Sequence, residues 1–311
     1  MTNHIENKTI IEYRPPKAEM NPWRPHCFLN EPERQRDGTV KSVNTIFLTN
    51  RECPFKCVMC DLWRHTLEKP TPKGAIPAQI KYALDRLPNA PVVKLYNSGN
   101  FFDGKAIPRD DYRKIAQLLS EVEHVIVENH PKLIGPFIPE FRDLLSATFE
   151  IAIGLETIHP VAMPRLNKQI TRENFSEAVR FLTSHNISSR AFILLNPPFL
   201  KGVVENRDWC LKTVQFAFDS GVSSCSIIPT RDGNGIMEKL REEGDYEPPS
   251  ISSLEDVFEE ALSLNRGRIF CDVWDLHRFS ECEQCITERK ERLQNMNLSQ
   301  EISPKVQCIC N

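Results

Sequence analysis

Cys53-Pro-Phe-Lys-Cys57-Val-Met-Cys60 places three cysteines in CxxxCxxC spacing at the end of the apolar, strand-like run Val43-Asn-Thr-Ile-Phe-Leu-Thr49. Three thiolates on one tight loop can hold three irons of a 4Fe-4S cluster and leave the fourth iron open to an outside ligand. The chain has eleven cysteines in 311 residues, so close spacings also arise by chance. Half of a zinc site is the other reading of this spacing. Context decides between them.

Outward from this loop, Val-, Ile- and Phe-rich runs recur near 43–49, 92–97, 124–129, 149–155, 190–195 and 223–228. Helical, charge-bearing segments near 77–87, 109–121, 137–147, 172–185, 204–219 and 235–243 separate them. Such alternation is that of a parallel α/β sheet. Six consecutive units predict an open (β/α)6 partial TIM barrel, whose chemistry belongs at the carboxyl ends of its strands. The polar and glycine-bearing motifs keep that phase. After the cysteine loop come Asn97-Ser98-Gly99-Asn100, Glu128-Asn-His-Pro131, Gly154-Leu-Glu156-Thr157, Asn196-Pro-Pro198 and Pro229-Thr-Arg231, one for each strand end.

With these motifs the chain resembles the radical S-adenosylmethionine (SAM) superfamily. The strings Val125-Ile-Val-Glu-Asn-His-Pro131, Ile153-Gly-Leu-Glu-Thr157, Leu194-Leu-Asn-Pro-Pro-Phe-Leu200 and Ser226-Ile-Ile-Pro-Thr230 are similar to its Elongator-catalytic-subunit branch, and within it to the radical SAM subunit of archaeosine synthase and its bacterial relatives. The likeness runs over roughly residues 40 to 270. It implies that Cys53, Cys57 and Cys60 hold a 4Fe-4S cluster, whose electron cleaves SAM to a 5'-deoxyadenosyl radical that abstracts hydrogen from a substrate. It further implies that Asn97, Ser98, Gly99 and Asn100 approach the SAM ammonium, and that Glu156 pairs with that ammonium or accepts from the ribose. Met59 then packs on adenine, and the Ile227 and Ile228 backbones face the adenine edge. Each position also has a structural reading: an ordinary turn for Ser98-Gly99, a solvated rim carboxylate for Glu156, core for Met59 and the isoleucines. An electron donor, either a reductase or a flavodoxin or ferredoxin, is implied as partner.

The substrate implied by this likeness is a modified tRNA base, bound directly or through a partner subunit. A net charge of −3 and a pI near 6.3 lean the other way, because nucleic-acid binding calls for a basic face. Lysines and arginines are interspersed with acids, as in Glu288-Arg-Lys-Glu-Arg292, a pattern of solvated helices. A small molecule or peptide is therefore the alternative substrate, and a non-catalytic metal-binding or assembly protein the alternative function.

Four more cysteines end the chain, Cys282 and Cys285 as CxxC and Cys308 and Cys310 as CxC. Two close pairs suit a four-thiolate site for zinc or a second iron-sulfur cluster, with free or disulfide-linked thiols as the other reading. Cys210 and Cys225 fall where small apolar residues would serve, and the histidines show no ligand spacing, with His130 on the strand-three rim the one candidate for substrate contact. Residues 1–40 are expected to form an extension packed on the barrel, 41–270 the barrel, and 271–311 a Cys-rich metal-binding tail. No run of 18 apolar residues occurs, so no membrane span is expected. A charged amino terminus without a signal-peptide core predicts a cytoplasmic protein, where thiols favour metals over disulfides.

Overall fold

In the computed structural model, which describes residues 5–280 and 282–310, eight strands form one open sheet in the order β1-β2-β3-β4-β5-β6-β7-β8. They are β1 Cys27–Arg34, β2 Val40–Phe47, β3 Val92–Tyr96, β4 His124–Glu128, β5 Thr148–Glu156, β6 Ser188–Leu195, β7 Ser224–Pro229 and β8 Arg268–Cys271. From β2 onward every pairing is parallel. Strand β1 runs antiparallel to β2. The α-helices are α1 Asn7–Glu12, α2 Ala75–Leu84, α3 Tyr112–Leu118, α4 Phe137–Arg142, α5 Ala162–Arg165, α6 Arg172–Ser184, α7 Val203–Ser220, α8 Ile236–Glu242, α9 Ile251–Ser263 and α10 Ile286–Ser299. No helix among the described residues is long and apolar enough to cross a membrane.

The expected α/β half-barrel is thus present, with strands β2 to β7 on the six apolar runs. Two strands escape the sequence pattern. β1 lies in the lead-in expected only to pack on the barrel, and it extends the sheet instead. Its proline and charges mask it, since Pro32 is tolerated on an edge strand. β8 is four residues long, too short for alternation to be read. The extension also sends α1 and the segment after it across the cysteine loop, where Arg14 and Lys17 pair with Glu52.

Strand alternation divides the sheet residues between two environments. Leu95, Val127, Ile151, Ile153, Ala191, Ile193 and Ile227 pack in the main apolar core with helix residues such as Phe141, Phe175, Val214 and Phe258. The other face is different. Val43, Val92 and Ile126 form a small apolar cluster, and beside it lies a buried ion network. Lys94 pairs with Glu33, Arg190 bridges Glu33 at 2.9 Å and Glu150, and Arg268 reaches Glu150 at 3.5 Å. Phe47, Tyr96 and Phe192 continue this face, with ring centroids 6.1 Å apart in each of two edge-to-face contacts.

Candidate active site at the carboxyl rim

The chain leaves β2 through a clamp. Thr49 donates its N–H to Gln79 Oε1 at 2.8 Å, and the Gln79 amide donates to the carbonyls of Thr49 at 2.7 Å and Pro22 at 2.6 Å. The cysteine loop that follows has no ladder partner, so its carbonyls are satisfied by side chains. Asn167 donates to Lys56 O at 2.7 Å, Asn234 to Val58 O at 2.8 Å and Cys60 O at 3.1 Å, and the Trp63 indole to Cys60 O at 3.1 Å. Val58 N–H also donates to Leu166 O at 2.9 Å. Groups from the α5 end and from the β7–α8 connection therefore fix the loop from two sides.

Cys57 is buried, and Cys53 and Cys60 are partly so. Burial pushes the Cys57 thiol up to about 12 and the Cys60 thiol higher still. Such sulfurs become thiolate ligands only with a strong compensating cation, which bound iron provides.

The segment after β3 packs directly against this loop. Asn97 and Gly99 donate their N–H groups to Glu128 Oε1 at 2.5 and 3.2 Å. Burial raises the Glu128 carboxyl while these amide donors pull the other way. A Cβ on Gly99 would stand 3.3 Å from Cys53 Cβ, so only glycine allows this approach without displacement. Asn100 donates to Cys53 Sγ at 3.1 Å and accepts from the His130 N–H at 2.7 Å. Asn97 is fully buried, and neither side-chain amide atom has a partner. A polar group without a partner in that position is costly, and a bound ligand's polar atoms would satisfy it. The residues present fit a cluster and a polar cosubstrate.

Glu156 sits at the register shift between β5 and β6 with φ +66°. Its carboxylate is paired with Lys168 Nζ at 2.6 Å, so it is no solvated rim group. A Cβ on Gly154 would fall 2.2 Å from Glu156 Oε1 and 2.3 Å from Lys168 Nζ, so this glycine makes room for the ion pair. Burial alone would lower the Lys168 ammonium; Glu156 and the Cys57 and Cys53 sulfurs outweigh it and hold it above the usual lysine value. His130 stacks on Phe55 at 3.8 Å, accepts from Lys132 N–H through Nδ1 and contacts Lys168 O through Nε2 at 2.9 Å. Burial lowers its pKa to about 3, so it is a neutral packing and hydrogen-bonding group.

Of the remaining predicted positions, Ser98 has φ +51° within the glycine segment. Met59 packs beside the small cluster of Val58, Ala162 and Phe199. Ile228 is half-buried on β7. The Ile227 carbonyl accepts from Asp272 N–H at 2.9 Å, so it is committed to the sheet edge. Glu128, Lys168, Asn167 and Asn234 were not singled out from sequence. Glu128 does stand in the third rim motif, and only its register against Asn97 gives it a role. No local signal marks the other three.

The tail brings Cys282, Cys285, Cys308 and Cys310 together with all four sulfurs within 4.8 Å of one another. The Cys282–Cys308 separation is 3.7 Å and the Cys285–Cys310 separation 3.5 Å. The segment after α10 is held against it by Arg292, which donates to Ser303 O and to Pro304 O at 2.8 Å. Cys271 stays apart, buried in β8 with its N–H on Asn297 Oδ1.

Solved structures of similar fold include the archaeal Elp3 of Methanocaldococcus infernus, with TM-score 0.53 and 12% identity over 72% of this chain and 59% of that one. Methylornithine synthase (PylB) superposes with TM-score 0.50 and 12% identity over 85% and 83% of the two chains. Both are radical SAM enzymes. The fold is the radical SAM fold. Spore photoproduct lyase shares it at TM-score 0.51 and 10% identity, over 71% of this chain and 74% of that one. No family model matches the chain. In sequence, it is 27% identical to an uncharacterized protein of Methanocaldococcus jannaschii over 300 residues, 88% of this chain and 81% of that protein. Archaeosine synthase subunit beta of Thermococcus kodakarensis is 27% identical over 65% of this chain and 64% of its own length. The Methanosarcina acetivorans subunit is 25% identical over 83% and 78%.

Proposed function

We propose that this protein is a radical SAM enzyme whose cluster is held by Cys53, Cys57 and Cys60. The observation that carries the reading is the seating of the glycine segment Asn97–Asn100 against Cys53 on the rim of a radical SAM fold. When bound, the cluster supplies the electron that splits SAM into methionine and a 5'-deoxyadenosyl radical. The protein's own part is placement and exclusion of water. Glu128 fixes the direction of the Asn97 and Gly99 amides, Asn100 donates to the Cys53 sulfur, and Asn167, Asn234 and Trp63 immobilise the loop. Glu156 and Lys168 offer opposite charges to the ammonium and carboxylate ends of the methionine moiety. Anaerobically reconstituted, reduced protein is expected to convert SAM to 5'-deoxyadenosine; reconstituted protein with about four irons that forms none would make it a metal-binding protein without turnover.

For the substrate, the archaeosine synthase relatives favour a modified base in tRNA, reached with a partner subunit, because the chain's own net charge is −3. RNA retained at low salt and released by moderate salt supports this reading. Its absence favours the small-molecule alternative.

For the tail, sulfur spacing favours one ion over a second cluster. Four thiolates at about 2.3 Å from one zinc lie about 3.8 Å apart at the corners of a tetrahedron, close to the 3.7 and 3.5 Å separations of the tail. Thiolates on four different irons stand farther apart, since the cluster itself lies between them. Metal analysis is expected to give one zinc per chain, lost in Cys282→Ser/Cys285→Ser with the iron retained. Loss of iron in that variant would make the tail a cluster site.

A further inference from the structure

Resting on the reading of Cys53, Cys57 and Cys60 as cluster ligands, we propose that an acidic one-electron carrier protein docks over Cys53, at the basic pocket formed by the amino-terminal extension and the cysteine loop. An electron must reach the cluster from outside the protein, and the three cysteines are not equally accessible. Cys57 is buried, Cys53 and Cys60 are partly so, and of the three only Cys53 lines an open pocket of about 570 Å³.

The other walls of this pocket carry Arg14, Lys17, Arg51 and Lys56 against Glu52 and Glu68, an excess of two positive charges in a chain of net charge −3. Three of the four cations are held in place. Arg14 and Lys17 bond Glu52 at 2.8 and 2.6 Å, and Lys56 pairs with the same carboxylate. Arg14 also lies over the Trp63 ring at 4.5 Å. One carboxylate cannot neutralise three cations, and the Arg51 side chain has no carboxylate partner among the described residues. The surplus therefore surrounds Cys53, the one cysteine of the triad that lines this pocket.

Such a field selects a negatively charged partner and accelerates its encounter, and contacts between electron-transfer proteins are small and transient enough to be governed by it. In each encounter one electron passes from the reduced carrier to the cluster; the carrier is oxidised by one electron and no bond or proton moves. The extension thereby gains a role beyond the strand it adds to the sheet, since Arg14 and Lys17 lie in it.

The test is stopped-flow reduction of the reconstituted protein by a reduced flavodoxin, an acidic carrier, beside reduction by methyl viologen, a small cationic donor. Charge reversal by Lys17→Glu/Arg51→Glu is expected to cut the flavodoxin rate about tenfold or more at low salt and to flatten its salt dependence. Lys114→Glu, on exposed α3, is expected to leave it unchanged. Lys17→Gln, which removes one charge without adding repulsion, is expected to fall between. Methyl viologen should reduce every variant to the same extent. Flavodoxin rates that are equal in all variants would overturn the docking surface. So would a rate lowered by inorganic phosphate at constant ionic strength but insensitive to the substitutions, which would make the pocket a small-anion site. Failure of viologen to reduce the wild-type protein would instead overturn the cluster assignment beneath it.

Discussion

Replacing Cys53, Cys57 and Cys60 together by alanine is expected to abolish iron binding at the rim and to bring 5'-deoxyadenosine formation down to background, while zinc in the tail is retained. The loss is total because no described side chain offers a substitute sulfur. Of the other eight cysteines, Cys27 is exposed on β1, Cys210, Cys225 and Cys271 are buried, and four are gathered in the tail. Asn234→Ala makes the informative comparison. It leaves all three sulfurs but removes the donor to Val58 O at 2.8 Å and leaves Cys60 O to the Trp63 indole alone. Residues that orient a metal site cost about 10- to 100-fold in metal affinity or activity when removed, so this variant should bind iron weakly rather than not at all. Iron and sulfide counts on anaerobic protein check both. Full iron occupancy in the triple variant would end the radical SAM reading.

Arg190→Met is expected to destabilise the fold by about 3–5 kcal/mol, the range for breaking a buried ion pair by removing one partner. Arg190 is 3% exposed and Glu150 1%, and the guanidinium serves both Glu150 and Glu33. Methionine would leave Lys94 on Glu33 and Arg268 on Glu150, the latter at 3.5 Å, neither enough to solvate two carboxylates inside a barrel. A melting-temperature drop of about 5–8 °C follows from the usual entropy of unfolding for a domain of this size.

The pH dependence supplies an independent sign. Burial raises the Glu33 carboxyl, but Arg190 and Lys94 together outweigh it and hold its pKa at about 2, below the usual 4.5; Glu150 is likewise depressed. Their stabilisation is present above the unfolded pKa and is lost as pH falls from 4.5 toward 2. Without Arg190 the burial effect dominates and the carboxylates take up protons more readily. The gap between variant and wild type should therefore shrink on acidification. A gap that is constant from neutral pH down to about pH 4 would mean that packing of the arginine stem, rather than its charge, is what was lost.

The sequence by itself determined those features that depend on residues close along the chain. Cysteines three and four positions apart are brought together by covalent connection, so the grouping of the CxxxCxxC thiols is legible without a fold. Alternating Val and Ile in runs of five to nine residues, separated by helices capped by residues such as Thr171 and Ser250, likewise specify parallel strands through local geometry. The common phase of the rim motifs follows from that repeat.

Tertiary structure alone decided what meets across the sheet. Glu128 serves the glycine segment because β3 and β4 pair in one register, and a shift of one residue would turn it to the other face. Asn234 reaches the cysteine loop from 176 residues away, and Arg190 reaches Glu33 from 157. Glu156 is read from sequence as a rim carboxylate and from structure as the partner of Lys168. The tail cysteines are predicted as a group by their spacing, but their approach to within 4.8 Å of one another comes only from the fold. In each case the deciding quantity is a distance between segments that local preference does not encode. It is set by strand register, helix packing and the closing of long loops.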